Sequence, residues 1–365
     1  MINHKTIAVV VPAYNEEKQI MHVISGMPDF VDRIVVVNDC SVDSTGNLIA
    51  DFIKQQSPAG EALFAKNKPE RTKYNQAEVL LHEVAEKELQ YYIPSLVANK
   101  SPESDRVILI NHLTNGGVGA AIASGYKWCL DHHIDCIAVM AGDGQMDPSE
   151  LETICLPVIN EGIDYVKGNR LIHRSAWLVM PRTRYIGNSI LSILTKIASG
   201  YWHISDTQCG YTAISSKALQ AIRIYDIYRS YGMPNDLMVK LNIAFCTIKE
   251  VGIKPIYNIG EQSKMRVMRV IPKISWLLFK SFFKRLWIKY LIKDFHPLFF
   301  LYHFAFMLGA ISIPYMIKIA NIVLFTQDNV SPLTMLAFMF LFISSFQSLL
   351  FAMWMDIQDN ERLYK

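Results

Sequence analysis

The chain has 365 residues, of which 51% are hydrophobic and 19% charged, and it carries a formal net charge of +3. It is richer in apolar and poorer in charged residues than an ordinary soluble domain, and the charge is too small to suggest nucleic-acid binding. Six cysteines, at 40, 129, 136, 155, 209 and 246, form no CxxC pair and no Cys/His cluster at zinc spacing, so they read as buried reduced thiols.

In chain order, the first apolar run, Ile7 to Val11, is too short for a secretory h-region and reads instead as a strand. Residues 34–37, 107–110 and 137–140 are similar β-branched or apolar runs, as expected for strands buried on both faces. Helical patterns at 16–26, 43–53 and 119–131 alternate with them, which predicts a parallel sheet with right-handed crossovers. Residues 54–105 interrupt this order with Lys, Glu, Gln and Pro. Val79, Leu80, Val84 and Leu89 predict a surface helix over 75–97 within that insertion. Farther on, helices are expected at 149–160, 184–200, 215–222 and 235–244, with short strands near 164–167, 211–214 and 247–251.

Side chains at strand ends on one edge of a parallel sheet converge on one crevice. The first strand delivers Pro12, Tyr14, Asn15 and Glu16, the second Asn38, Asp39, Cys40 and Ser41, and the fourth Asp143 and Gln145. Asp39 is suited to accept a hydrogen bond from a base N–H, and Tyr14 to pack on the ring. Asp43, Ser44 and Thr45 read as caps of the next helix. Asn115-Gly116-Gly117-Val118-Gly119 opens a helix and permits close approach of a ligand to the backbone. It lacks the dinucleotide fingerprint, which argues against a nicotinamide enzyme. Asp147, Pro148 and Glu150 make a helix start, with an Asp cap, a Pro at the first position and an acid at the third. Asp143, between Gly142 and Gly144, has no such structural duty. It reads as a metal ligand supported by Gln145.

The C-terminal part changes character. From Lys264 to Lys293 there are nine basic residues and no acidic one. A helix over 273–293 would place Trp276, Phe279, Phe283, Trp287 and Tyr290 on one face and Arg285, Lys289 and Lys293 on the other, as in a helix lying in a membrane interface. Pro297–Ile317 and Leu333–Met355 carry no formal charge, and each is long enough to cross a hydrocarbon core of about 30 Å. The basic cluster keeps residues 1–296 in the cytoplasm by the positive-inside rule, and the hairpin returns 356–365 to the same side. The spans contain no GxxxG, although self-association into a homo-oligomer remains open to them.

VVVPAYNEE, VVVNDCSVDST, NGGVGAA, GDGQMDP, VKGNR and DTQCGYTAIS, in this order, resemble a family 2 glycosyltransferase with the GT-A fold, over about 1–54 and 106–266. The subgroup it is most similar to comprises membrane-anchored polyprenyl-phosphate glycosyltransferases of the dolichyl-phosphate mannosyltransferase type. The resemblance implies an α/β, Rossmann-like and mostly parallel catalytic domain over 1–260. Interfacial helices over 261–296, transmembrane helices near 297–318 and 333–355 and a cytoplasmic tail from 356 complete the expected organisation. It assigns Pro12, Tyr14, Glu16, Asp39 and Asn115 to the nucleotide of a UDP- or GDP-sugar, and Asp143 with Gln145 to Mg²⁺ or Mn²⁺. Where the subgroup has Asp-x-Asp, this chain has Ala141-Gly142-Asp143, so the first acid is missing. Arg170, Arg182 or Arg184 and Lys264 fall where the family uses cations near the acceptor phosphate. Asp236 falls near the family's base, which is needed only for a hydroxyl acceptor, and it reads equally as a helix N-terminal acid. The expected reaction is inverting transfer of one sugar to a polyprenyl phosphate at the cytoplasmic face of a bacterial inner membrane or its equivalent. A hydroxyl acceptor on a lipid-linked glycan and a non-catalytic scaffold are the alternatives. A processive synthase is disfavoured, because the QxxRW motif is absent.

Overall fold

The structure is a computed structural model that describes residues 1–55, 62–65, 69–257, 267–325 and 329–365, with the side chains of 183, 184 and 267–270 left out. Eight strands form one sheet: β1 (Ile7–Ala13), β2 (Arg33–Asn38), β3 (Ser95–Val97), β4 (Val107–His112), β5 (Cys136–Val139), β6 (Tyr165–Asn169), β7 (Thr212–Ser215) and β8 (Ile248–Gly252). Their order is β3-β4-β2-β1-β5-β7-β6-β8. β4, β2, β1 and β5 run parallel, as the alternating pattern predicts, and β7 is inserted antiparallel between β5 and β6.

The helices are α1 (Ile20–Ser25), α2 (Thr45–Gln55), α3 (Gln76–Glu88), α4 (Val118–Asp131), α5 (Leu151–Asn160), α6 (Ala176–Val179), α7 (Arg182–Ser199), α8 (Ser216–Gln220), α9 (Met233–Ile243), α10 (Val267–Trp287), α11 (Pro297–Phe325) and α12 (Pro332–Glu361). Alternate residues of the central strands feed two cores. Ala8, Val10, Val35 and Ile108 pack with α4, α8 and α9, while Val9, Val11, Ile34 and Leu109 pack with α1, α2 and α5. With apolar partners on both faces, these strands have no polar alternation, which is why they read as continuous hydrophobic runs.

The insertion differs from expectation. Its helix stops at Glu88, a 3₁₀ turn covers Leu89–Tyr91, and Ser95–Val97 pair antiparallel with the edge of β4. Pro94 cannot continue a helix, and the open edge of β4 takes up the chain that follows it.

α11 and α12 are long and apolar enough to cross a membrane, and about a tenth or less of each apolar stretch is buried. This low burial separates them from core helices of a soluble protein. They pack on each other through small groups: Ser345 Oγ donates to the Ala305 carbonyl at 2.8 Å, and Gly309 lies against Ser345.

α10 exposes a different set of residues from the expected interfacial faces. Trp276, Phe279 and Trp287 are 58%, 54% and 49% exposed, and the exposed cations beside them are Lys273, Lys280 and Lys284. Tyr290 is buried instead, and the helix passes into a π-helical turn over Ile288–Lys293. Arg285 and Lys289 are fully buried rather than directed at lipid headgroups. Arg285 grips Asp356 near the end of α12 with two bonds of 2.7 Å and also donates to the carbonyls of Ala198 and Ile197. Lys289 donates to Asn242 in α9 and Asn360 in α12. A guanidinium leaves water only where a carboxylate and carbonyls replace its hydration, and the carboxylate lies 71 positions downstream.

Beyond α12 the chain joins the sheet. Ile248 N–H donates to the Leu363 carbonyl, Lys365 N–H donates to Ile248, and Leu363 is buried in the main core. Both ends of the helical hairpin are therefore fastened to the α/β domain and lie on its side.

Candidate active site

The order of strands reverses between β1 and β5, and the crevice beyond their C-terminal ends is where open α/β sheets bind ligands. Gly142 N–H donates to the Pro12 carbonyl at 3.2 Å and Asp39 N–H to the Ala13 carbonyl at 2.9 Å, so the three predicted strand ends do meet. Pro12 is buried at the base, Tyr14 is partly exposed, and Glu16 N–H donates to Thr45 Oγ1 at 2.9 Å. Asp43 does more than cap. Its Oδ1 accepts from the amide and hydroxyl of Thr45, while Oδ2 accepts from Glu17 N–H, tying the β1 loop to the β2 loop.

Asp39 is 3% exposed and carries three hydrogen bonds. Oδ1 accepts from His112 Nδ1 at 2.7 Å and Gly116 N–H at 2.8 Å, and Oδ2 accepts from Gly117 N–H at 2.8 Å. A carboxylate has about four acceptor positions, so one on Oδ2 remains for a ligand. Burial would raise the pKa of Asp39, but the His112 contact and the two glycine amides lower it further, and it ends below the ordinary value. Ser124 Oγ, 2.9 Å from His112 Nε2, fixes the ring. The register that sets Asn38 beside Asn111 places Asp39 beside His112, and that neighbour relation is the sequence signal for His112. Asn115 Nδ2 donates to the Asp39 carbonyl at 3.2 Å.

The glycine turn also departs from expectation. A Cβ on Gly119 would meet the Tyr228 carbonyl at 2.0 Å, and one on Gly117, whose φ is 85°, would meet the Arg229 carbonyl at 2.5 Å. The backbone is approached by the protein's own chain at these points, not by a ligand.

Asp143 sits on the turn after β5, with Gly144 at φ 76°, and its Oδ1 accepts from Gln145 N–H at 3.0 Å. Asp147 caps the following turn through Ser149 N–H at 2.9 Å, as expected. Glu150 accepts from Lys254 N–H across the domain instead of completing a capping box. Mg²⁺ and Mn²⁺ take about six oxygen ligands and are commonly held by one or two carboxylates plus substrate phosphates and water. Among the described residues no three His, Cys, Asp or Glu side chains cluster. A single Asp143 carboxylate, with Gln145 next but one, fits a metal that takes its other ligands from a bound substrate and water.

The cations expected at an acceptor phosphate separate. Arg170 lies at the correct edge, after β6, but its Nε and Nη2 donate to the buried Asp206 at 2.8 and 3.0 Å. Burial would lower its pKa and Asp206 raises it above the ordinary value, so its charge is already paired. Arg182 is exposed at the start of α7, beside the ring of Trp177. The side chain of Arg184 and all of Lys264 lie outside the described residues. Asp236 pairs with Lys240 one helical turn on and accepts from Tyr228 N–H at 2.9 Å. That is the geometry of a helix N-terminal acid, with both contacts on Oδ2 and none on Oδ1 among the described residues.

Residues 89–223 match the sequence profile of Glycosyl transferase family 2. That stretch carries a family 2 glycosyltransferase domain. This glycosyltransferase is 28% identical over 287 residues to the UDP-N-acetylglucosamine–dolichyl-phosphate N-acetylglucosaminyltransferase of Methanococcus voltae, covering 78% of this chain and 96% of that one. It is 26% identical over 167 residues to the undecaprenyl-phosphate mannosyltransferase of Micrococcus luteus, covering 46% and 68%. Glucosyl-3-phosphoglycerate synthase from Mycobacterium tuberculosis, solved with UDP, aligns over 77% of this chain and 80% of its own, with a TM-score of 0.44 and 16% identity. The sheet is mixed, with β3 and β7 antiparallel to their neighbours.

The DTQCGYTAIS motif also holds a residue with no expected role. Gln208, two residues after Asp206, donates to Thr207 Oγ1 and to Asn235 Oδ1, both at 2.8 Å. The adjacent Gly210 lies against Met146, next to the Asp143 turn.

Proposed function

We propose that the glycosyltransferase moves one sugar from a UDP- or GDP-linked donor to a polyprenyl phosphate, with inversion at the anomeric carbon, at the cytoplasmic face of a membrane. The observation that carries this reading is the fastening of a strand-edge crevice of the GT-A-like kind to two exposed apolar helices, held at both ends by the same domain. The names of the Methanococcus and Micrococcus relatives, which specify dolichyl- and undecaprenyl-phosphate acceptors, support the choice of acceptor.

Asp39 accepts the base N–H through its remaining Oδ2 position, with Tyr14 against the ring and Pro12, Glu16 and Asn115 forming the surrounding loops. Asp143 and Gln145 would hold Mg²⁺ or Mn²⁺ with the donor oxygens, which supplies positive charge where the diphosphate leaves. An acceptor phosphate oxygen attacks the anomeric carbon opposite the diphosphate. The new C–O bond forms as the old one breaks, and the bonding pair departs with the nucleoside diphosphate. A phosphate monoester has its second pKa near about 6, so the nucleophile is already deprotonated at neutral pH and needs no protein base. Asp236, paired with Lys240 through Oδ2, then serves as a helix N-terminal acid rather than a required base.

Arg182, an exposed cation at the start of α7, is the candidate for the acceptor phosphate. Around it, Trp177, Leu178, Ile186, Ile190 and Ile193 leave an exposed apolar strip along α6 and α7, and Trp276 and Phe279 do so on α10, suited to the membrane interface.

The test is turnover of UDP- and GDP-sugars by the purified full chain with Mn²⁺ and undecaprenyl or dolichyl phosphate. No glycolipid from any combination, with metal-dependent nucleotide binding retained, would mark a scaffold and refute the reaction.

A further inference from the structure

We propose that the segment Tyr91–Pro94, at the end of the insertion, positions the donor-nucleotide pocket by bracing all three groups that hold Asp39. The proposal rests on the donor-binding reading above and adds a role for a segment that the motifs leave unassigned.

Each donor to Asp39 has the insertion behind it. His112 is the register partner of Ser95 in β3, and Leu113 N–H donates to the Pro94 carbonyl at 2.8 Å. Gly116 has no room for a side chain because Ile93 fills it: a Cβ there would lie 2.6 Å from Ile93 Cγ1. Gly117 and Gly119 are covered by the 228–229 backbone, and Gly119 N–H donates to the Arg229 carbonyl at 2.9 Å. That backbone is in turn tied to the insertion, since Arg229 Nη2 donates to the Tyr91 carbonyl at 3.1 Å and the Tyr91 ring stacks on Tyr225 at 5.1 Å. The amides of Gly116 and Gly117 can aim at Asp39 only while the turn is pressed into this shape. Tyr91 and Ile93 are therefore positioning residues, acting on the nucleotide through the turn and Asp39. An interior contact that merely stabilises the fold would not converge on one carboxylate from three sides.

The experiment uses the full chain in detergent and measures UDP and GDP binding by calorimetry with Mn²⁺, donor KM and kcat, and Tm. Ile93→Ala, Ile93→Val, Gly116→Ala and the Ile93→Ala/Gly116→Ala pair are compared with the wild type. Ile93→Ala is expected to weaken nucleotide binding and raise donor KM by about tenfold or more with kcat little changed, since displacing a positioning group by about 1 Å costs up to about 100-fold. Ile93→Val moves the same quantities less, and it carries the test should the alanine variant fail to fold. Gly116→Ala weakens binding too, and the double variant is no weaker than the worse single one, because both act on one contact. Unchanged UDP and GDP binding in a folded Ile93→Ala, with only Tm lowered, overturns the brace alone. Failure of the wild type to bind either nucleotide overturns the donor reading and the brace together.

Discussion

Asp356→Asn probes the joint between the apolar hairpin and the catalytic domain. Arg285 and Asp356 are both fully buried and share two bonds of 2.7 Å. Burial alone would lower the Arg285 pKa, and the Asp356 carboxylate outweighs that, holding it above the ordinary value. Asparagine keeps the shape but removes the charge, and its amide N–H faces a guanidinium N–H. The remaining acceptors, the Ala198 and Ile197 carbonyls at 3.0 and 3.1 Å and the Tyr290 hydroxyl at 3.3 Å, carry only partial negative charge, the carbonyls that of the α7 C-terminus. Breaking a buried pair on one side costs about 3–5 kcal/mol, and the carbonyls that stay place this case at about 3. At about 2–4 °C per kcal/mol for a large domain, the Tm falls by about 6–12 °C. Removing both partners should cost far less, because no stranded charge remains. Arg285→Met with Asp356→Leu is therefore expected to recover most of the loss.

The assay is thermal unfolding of the wild type, Asp356→Asn and the double variant in one detergent, with limited proteolysis reporting release of the tail from Ile248. A Tm for Asp356→Asn within 1 °C of the wild type, or a double variant as unstable as the single one, would refute the account, with about 1 °C being well under the shift of one kcal/mol.

Asp143→Asn should abolish turnover while leaving the fold intact, whereas Asp147→Asn should cost about 1 kcal/mol or less of stability through its cap and keep turnover; comparison of kcat and Tm checks both. Asp236→Asn is expected to retain most turnover and lose stability with its Lys240 partner, and abolition of activity in a folded protein would restore the hydroxyl-acceptor reading. Burial, assisted by the Arg285 charge, lowers Lys289 to about 8, against about 10.4 in the unfolded chain. Between those values the unfolded state binds more protons, so stability contributed at this site rises with pH. The wild type should then gain on Lys289→Met between about pH 8 and about pH 10 in urea titrations, and a gap moving the other way contradicts the burial of a charged Lys289.

What was legible in the sequence was whatever a local pattern enforces. The strands of the central sheet are buried on both faces, so their apolar runs could be nothing else. Asp147 reads as a cap because its partner, Ser149, is two residues away. What was not legible depends on partners the chain supplies from afar. Arg285, Lys289 and Lys293 have the spacing of an interfacial face, yet Asp356 and Asn360 reach the first two only after the chain has passed through both apolar helices. Lys293 donates to the Ile243 carbonyl, 50 positions upstream. Arg170 has the right edge of the sheet for a phosphate, yet Asp206 takes it. The same logic recasts the glycine turn. Gly116, Gly117 and Gly119 carry the composition of a loop that admits a ligand, but Ile93, Tyr228 and Arg229 occupy the space their missing side chains leave. A strand end tells which acid faces the crevice, and only the packing around it tells which acids are still available. By that criterion Asp39 retains one acceptor position for a ligand, and Asp236, whose bonds to Lys240 and Tyr228 both fall on Oδ2, keeps Oδ1, so turnover by Asp236→Asn rather than packing decides its role.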